Sequence, residues 1–146
     1  MTEIAFHFNV LDRLGYACRL VRKAVANGAK VVVTADAGTL CELDVALWTF
    51  SSLEFVAHGR TPACGEALLA RSPVVLTDTP GDAPHQQVLV NLKGAVPEGF
   101  QRFERLIEVV TSVGDDRLLA RQRWKHYADR GYAISGHDLA QPEPRQ

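Results

Sequence analysis

The stretch KVVVT, from Lys30 to Thr34, decides the fold of this chain. Three consecutive valines with no polar residue between them are typical of a central strand that is covered on both faces. The segment before it, Arg13 to Asn27, has apolar residues at helical spacing, and the pair Asn27-Gly28 is suited to a left-handed helix end. With a β-rich run at Ile4 to Phe8 and a second helix from Ala37 to about Phe50, the β-α-β-α order predicts a parallel sheet.

The remainder of the chain continues the alternation less regularly. Further strands are predicted at 54–58, 74–77, 88–92 and 105–110, and a last helix at 115–130. The polar segment HGRTPACGE is predicted to be a loop, DTPGDAP an exposed turn, and Pro97 the start of a brief helix that carries Phe100 and Phe103. These elements predict an α/β fold with three layers and a mostly parallel central sheet. One domain is expected over residues 1–140, followed by a frayed tail at 141–146.

Composition limits the function classes. The chain has 146 residues, of which 47% are hydrophobic and 23% charged, as expected for one soluble globular domain. The apolar runs are too short to span a membrane, and the strand-like start EIAFHF argues against a signal peptide. Three cysteines without close pairing predict a reducing cytoplasm and no metal site. The net charge of -1 argues against a protein around which nucleic acid wraps, because such proteins need a large excess of Lys and Arg.

Signals for catalysis and for cofactors are weak. The turn at 9–12 has no glycine-rich loop, and the turn from Ala35 to Thr39 has one glycine and no following lysine. A phosphate site at Thr39 is an alternative to an ordinary loop and helix cap. His58 precedes Arg60 and Cys64, but the surrounding sequence carries no nucleophile signature. We therefore expect no catalytic residues and no cofactor.

The last predicted helix carries a local excess of positive charge. Arg117, Arg121, Trp124, Lys125 and Ala128 fall on one side of it, at about 100° per residue. Three cations beside an indole are costly to bury, but they suit a partner that has carboxylates and an apolar group. The alternative is that these long side chains form an ordinary solvated face. Arg123 points about 100° away from Trp124 and is expected to contribute only peripherally.

A second aromatic pair, Trp48 and Phe55, allows two interpretations. Both residues are compatible with a place in the core. Trp is also enriched in protein interfaces, so the pair is a candidate docking site.

Four motifs in this order resemble the chi subunit of bacterial DNA polymerase III holoenzyme. They are LDVALW at 43–48, FVAH at 55–58, GFQRFERLIEVV at 99–110 and ARQRWKHYADRGY at 120–132. The resemblance spans nearly the whole chain, although its N-terminal third and middle loop match in pattern alone. It implies a Rossmann-like fold without catalytic activity of its own, in an accessory subunit of a DNA-directed DNA polymerase holoenzyme.

The resemblance also implies two protein partners and only indirect contact with DNA. The first is the acidic C-terminal tail of single-stranded DNA-binding protein, which ends in Pro-Phe. The matching positions are Arg121, Trp124 and Lys125, and Arg117 shares their helix face. The second partner is the psi subunit, which links chi to the clamp loader. The positions that match the family's psi contact are Trp48 and Phe55. Two alternatives stay open: a nucleotide-handling enzyme that uses the Ala35 to Thr39 turn, and a direct binder of single-stranded DNA in which Trp124 stacks on a base.

Overall fold

A single parallel sheet organises the protein. The computed structural model describes residues 2–49, 58–60 and 74–139. Their strands form one seven-stranded sheet in the order β3-β4-β2-β5-β6-β1-β7, and every neighbouring pair is parallel. The strands are β1 (Glu3–Val10), β2 (Val31–Thr34), β3 (His58–Arg60), β4 (Val74–Thr77), β5 (Val88–Asn91), β6 (Arg105–Thr111) and β7 (Ile134–Asp138).

Three α-helices cover the two faces of this sheet in the described part of the chain. They are α1 (Arg13–Ala26), α2 (Ala37–Thr49) and α3 (Gly114–Asp129), and short 3₁₀ turns lie at Pro80–Asp82 and Phe100–Arg102. One core cluster joins the sheet to α1 and α2, and the other joins it to α3 and the 3₁₀ turns. The predicted α/β class with three layers is thus confirmed.

The valines that led to this prediction lie where they were expected. Val31 and Val33 belong to the core under α1 and α2, whereas Val32 belongs to the core on the α3 side. All three are fully buried, because β2 has a strand on each side and a helical layer above and below. The predicted left-handed position is also confirmed, since Gly28 follows α1 with a φ of 82°.

Two local predictions were wrong, and one strand was missed. Gly59 and Arg60, assigned to a loop, belong to strand β3. His58 lies in a strand as predicted, whereas residues 54–57 and 61–73 lie outside the described residues. In the turn DTPGDAP, Pro80 and Ala83 are buried rather than exposed, and Ala83 belongs to the second core. Strand β7 was not predicted, because ISGHD has few β-forming residues and pairs with β1 at the edge of the sheet. The predicted tail at 141–146 also lies outside the described residues.

The helices of the described segments offer no stretch long and apolar enough to cross a membrane.

Candidate functional site

The first turn of α3 is fixed to the end of β6 by one carboxylate. Oδ2 of Asp116 accepts hydrogen bonds from the backbone N of Thr111 at 2.7 Å and from its Oγ1 at 2.9 Å. The same oxygen lies 2.8 Å from Nη2 of Arg13 on α1. An acid in the first turn also interacts favourably with the helix dipole. Asp116 therefore ties α3 to the sheet and to the helix on the opposite face.

The inner face of α3 is held by a buried polar network. Nε of Arg123 lies 3.1 Å from Oε2 of Glu108, and Nη1 donates to the carbonyl of Gly94 at 2.8 Å. The hydroxyl of Tyr127 and Nδ2 of Asn91 donate to the same carboxyl group, at 2.6 and 2.7 Å. Arg123 is only 2% exposed. Arg123 therefore points away from the surface cluster, as the 100° spacing predicted, and it anchors the helix.

Burial dominates the electrostatics of this network. It raises the pKa of Glu108 from 4.5 to about 7, although the positive charge of Arg123 and the hydrogen bonds from Tyr127 and Asn91 act in the opposite direction. The pKa of Tyr127 is also raised, first by burial and then by the neighbouring carboxylate. A clear sequence signal for this network existed, because an acid in the apolar run LIEVV needs a buried partner.

The outer face of α3 carries the predicted cluster. Arg117, Arg121 and Lys125 are exposed, and Trp124 is half-buried. The three cations thus share the outward side of the helix, as the 100° spacing predicted, and Trp124 lies at the edge of that side. The three cations reach solvent, whereas the indole rests on the sheet.

Trp124 packs on aromatic residues of β1. Its ring lies 4.9 Å from that of Phe6 and 6.0 Å from that of Phe8, at an interplanar angle of 25° to Phe8. Gly136 on β7 leaves space for both rings, because a Cβ there would lie 3.3 Å from Phe8 Cε2 and 3.5 Å from Trp124 Cη2. The indole therefore supports Phe8 from behind while keeping part of its own surface accessible.

An open groove of about 290 Å³ lies beside this aromatic stack. Its lining residues are Phe8, Asn9, Arg117, Arg121 and Asp138. Asn9 has a φ of 61° at the irregular end of β1, and its Nδ2 donates to Oδ1 of Asp138 at 2.7 Å. Asn adopts this left-handed conformation more readily than most residues. The groove thus combines one aromatic wall, two guanidinium groups and one carboxylate.

The structure brings together only part of the predicted cluster at this groove. Arg117 and Arg121 line it directly, and they also line an adjacent depression of about 360 Å³. Trp124 stands behind Phe8, and Lys125 follows on the helix without lining either depression. Sequence reasoning missed Phe8, Asn9 and Asp138. The alternation of Phe6 and Phe8 in β1 was the available signal, since residues two apart share a strand face.

At the turn from Ala35 to Thr39, the alternative phosphate site, a carboxylate of the protein itself takes the position of the phosphate. Oδ1 of Asp36 accepts the backbone N–H of Thr39 at 2.8 Å. That hydrogen bond is the main reason why the pKa of Asp36 is lowered. A carboxylate of the chain itself therefore takes an amide that a phosphate would use, and its charge repels an anion.

The second predicted pair can be located only in part. Trp48 lies in the last turn of α2, and Phe55 lies outside the described residues. Within the segments that the structure covers, groups of three or more potential metal ligands are absent.

Comparison with known proteins identifies the family. The sequence model of the family described as "DNA polymerase III chi subunit, HolC" matches residues 1–135. The chain belongs to the DNA polymerase III chi subunit family. A relative named DNA polymerase III subunit chi, from Pseudomonas aeruginosa, is 34% identical over 128 residues, which cover 87% of each chain. A second relative of the same name, from Haemophilus influenzae, is 26% identical over 84% of this chain and 85% of its own.

Membership in the chi family supports a role as an accessory subunit in DNA replication. It agrees with the resemblance drawn from the four motifs.

Proposed function

We propose that this chi-family protein is a non-catalytic adaptor of the clamp-loader complex in the cytoplasm. One of its surfaces binds the acidic C-terminal tail of single-stranded DNA-binding protein, and another binds the psi subunit. The contact with the tail is supported by the groove in which Arg117 and Arg121 face Phe8. Such a groove offers positive charge and an aromatic surface within the reach of one short peptide.

The chemistry of the tail matches these groups. A terminal carboxylate and the Asp side chains before it form charge-assisted hydrogen bonds, and guanidinium groups bind carboxylates with two parallel bonds. The terminal Phe needs an apolar contact, which Phe8 and the exposed part of Trp124 supply. Lys125 adds a further exposed positive charge on the same face of α3. A disordered tail that orders on binding should have micromolar affinity that salt weakens.

The carboxylate of Asp138 makes one side of the groove negative and so predicts the orientation of the bound tail. It lies on the side of β7, opposite to the guanidinium groups of α3. Like charges repel, so the acidic residues of the tail should lie along α3 and its uncharged residues near β7.

A binding titration with a synthetic acidic peptide ending in Pro-Phe tests this proposal. We expect Arg121→Ala and Trp124→Ala each to weaken binding at least several-fold, and deletion of the terminal Phe from the peptide to abolish it. Arg130→Ala is the control, because Arg130 is exposed just after α3 and does not line the groove. Equal affinities for all variants would contradict the assignment. If the nucleotide alternative is wrong, calorimetry should show no ATP binding that Thr39→Ala weakens.

The psi contact is proposed from the family resemblance at Trp48 and Phe55. Co-purification with psi should be lost in Trp48→Ala and Phe55→Ala, while the acidic peptide still binds. Retention of psi by both variants would remove this part of the proposal.

A further inference from the structure

A second pocket lies on the other side of the β1–β7 pair, under α1. It encloses about 510 Å³ and is separate from the groove beside α3. His7 and Phe8 are neighbours on β1, and their side chains point to opposite faces of the sheet, so that each contributes to a different depression. The lining residues are His7, Tyr16, Arg19, Leu20, Lys23, Arg105, His137 and Leu139.

The charged residues that line this pocket are all positive. Arg19 and Lys23 are exposed one turn apart on α1, and Arg105 stands exposed at the start of β6. None of the eight lining residues is acidic. Glu3 is the neighbour of Arg105 in the backbone register of β1 and β6, and it is not among the residues that line the pocket. In a chain with a net charge of -1, three cations around one pocket form a local field that attracts anions.

Aromatic rings form the floor of the pocket. The rings of His7 and His137 lie 5.0 Å apart at 66°, and those of His7 and Tyr16 lie 5.7 Å apart. Tyr16 is hydrogen-bonded through its hydroxyl to Nδ1 of His7. These contacts hold the rings in place, and Leu20 and Leu139 add apolar surface beside them. Fixed flat groups next to cations are the combination that binds bases and phosphates of single strands.

We propose that this pocket binds a nucleotide unit of single-stranded DNA, with a phosphate at Arg19, Lys23 and Arg105 and the base or sugar against the rings. Its volume suits a ligand of nucleotide size. The site is independent of the proposed tail contact, because it lies on the α1 side of the sheet. An adaptor with both sites contacts the single-stranded DNA-binding protein and the exposed strand next to it.

The test compares two charge-matched double variants of the full chain. Arg19→Ala with Lys23→Ala and Arg121→Ala with Lys125→Ala each remove one Arg and one Lys, four residues apart on an exposed helix face. Fluorescence anisotropy at low salt measures binding of labelled oligo-dT, and the acidic Pro-Phe peptide is titrated in parallel. Circular dichroism checks that both variants fold, and Arg105→Gln provides a second probe of the pocket on a different element.

We expect the α1 variant to lose roughly five-fold or more in affinity for oligo-dT, with a salt slope smaller by about 0.7, because one phosphate is no longer neutralised. The α3 variant should keep oligo-dT binding and lose the peptide. Competition by dTMP would indicate that the pocket also takes a free nucleotide, and oligo-dT binding without such competition would assign the phosphate to a DNA strand. Absence of oligo-dT binding by the wild type, equal losses in both variants, or peptide binding lost in the α1 variant would each overturn the proposal.

Discussion

Arg123 and Trp124 are adjacent in the sequence, but their side chains lie in different environments. A helix turns about 100° per residue, so that the side chain of Arg123 enters the protein while that of Trp124 packs behind Phe8. A buried guanidinium group needs hydrogen-bond acceptors, which the carboxyl group of Glu108 and the carbonyl of Gly94 provide. Arg123 therefore positions the helix, whereas Trp124 supports the candidate binding surface.

The raised pKa of Glu108 predicts a specific pH dependence of stability. Between its ordinary pKa of 4.5 and its folded value of about 7, the unfolded chain ionises this carboxyl group while the folded chain keeps its proton. The contribution of Glu108 is therefore complete below pH 4.5 and is lost as the pH rises towards 7. The loss amounts to roughly 3 kcal/mol in the free energy of unfolding.

Urea denaturation of the wild type and of Glu108→Gln between pH 4.5 and 7.5 measures this effect. The difference between their stabilities should shift steadily against the wild type over that range, whatever its absolute size. Parallel pH profiles would show that this carboxyl group does not titrate differently in the folded chain.

The sequence predicted the outward cluster more readily than its surroundings. Arg117, Arg121 and Trp124 share one helical face, and this is a local property that spacing reveals. The groove also needs Phe8 and Asp138, which belong to two strands and meet only through the β1–β7 pairing. Contacts between strands that are far apart in the sequence depend on sheet order, which single-chain periodicity does not specify.

At the scale of elements, α3 depends on its attachment more than on its own amphipathicity. Only Ala120, Arg123 and Tyr127 are buried along its sixteen residues. Two of these three are polar, so hydrophobic burial alone gives the helix little preference for one orientation. Its orientation is set by the Asp116 contacts at the start and by the buried polar network in the middle.

We predict that Asp116→Asn destabilises the protein by about 1–3 kcal/mol, because the substitution removes the negative charge that accepts bonds from Thr111 and Arg13. Chemical denaturation measures the change. Asp115→Asn is the matched control: Asp115 lies in the same turn but is exposed, and its substitution should cost about 0.5 kcal/mol or less. Equal losses for the two variants would indicate a helix-dipole effect rather than specific anchoring.

The strands inside the sheet, which are buried on both faces, were predicted from the sequence, whereas prediction failed for the strands at its edges. β2, β4 and β5 are continuous apolar runs, because they lie inside the sheet. The edge strands β3 and β7 read HGR and ISGHD, and neither has the composition of a buried strand. An edge strand has only one neighbour and tolerates polar residues, so its sequence resembles a loop.

At the scale of the whole molecule, the sheet separates two surfaces of different composition. The α3 side carries the candidate peptide groove, and the α1 side carries the pocket around Arg19 and Lys23. Both lie on the β1–β7 pair, near one edge of the sheet. The more central strands form the apolar core, so changes on either surface should leave the fold intact.

Salt should therefore affect binding far more than folding. Raising the salt concentration from about 0.1 M to about 1 M shortens the screening length from about 10 to about 3 Å. We expect the affinity for the acidic peptide to fall at least several-fold, while the midpoint of thermal unfolding of the free protein changes little. A peptide in which the Asp residues are replaced by Ser provides the control, because its weaker binding should depend much less on salt. Salt-independent binding of the acidic peptide would contradict a charge-based contact.

The position of β1 also has a consequence for biosynthesis. This strand lies between β6 and β7, the last two strands described along the chain. During translation, β1 leaves the ribosome before both of its hydrogen-bonding neighbours, and more than a hundred residues must follow it before β7 is available. A nascent chain in this state exposes Phe6 and both edges of an apolar strand, and it is a natural substrate for chaperones until synthesis has passed β7.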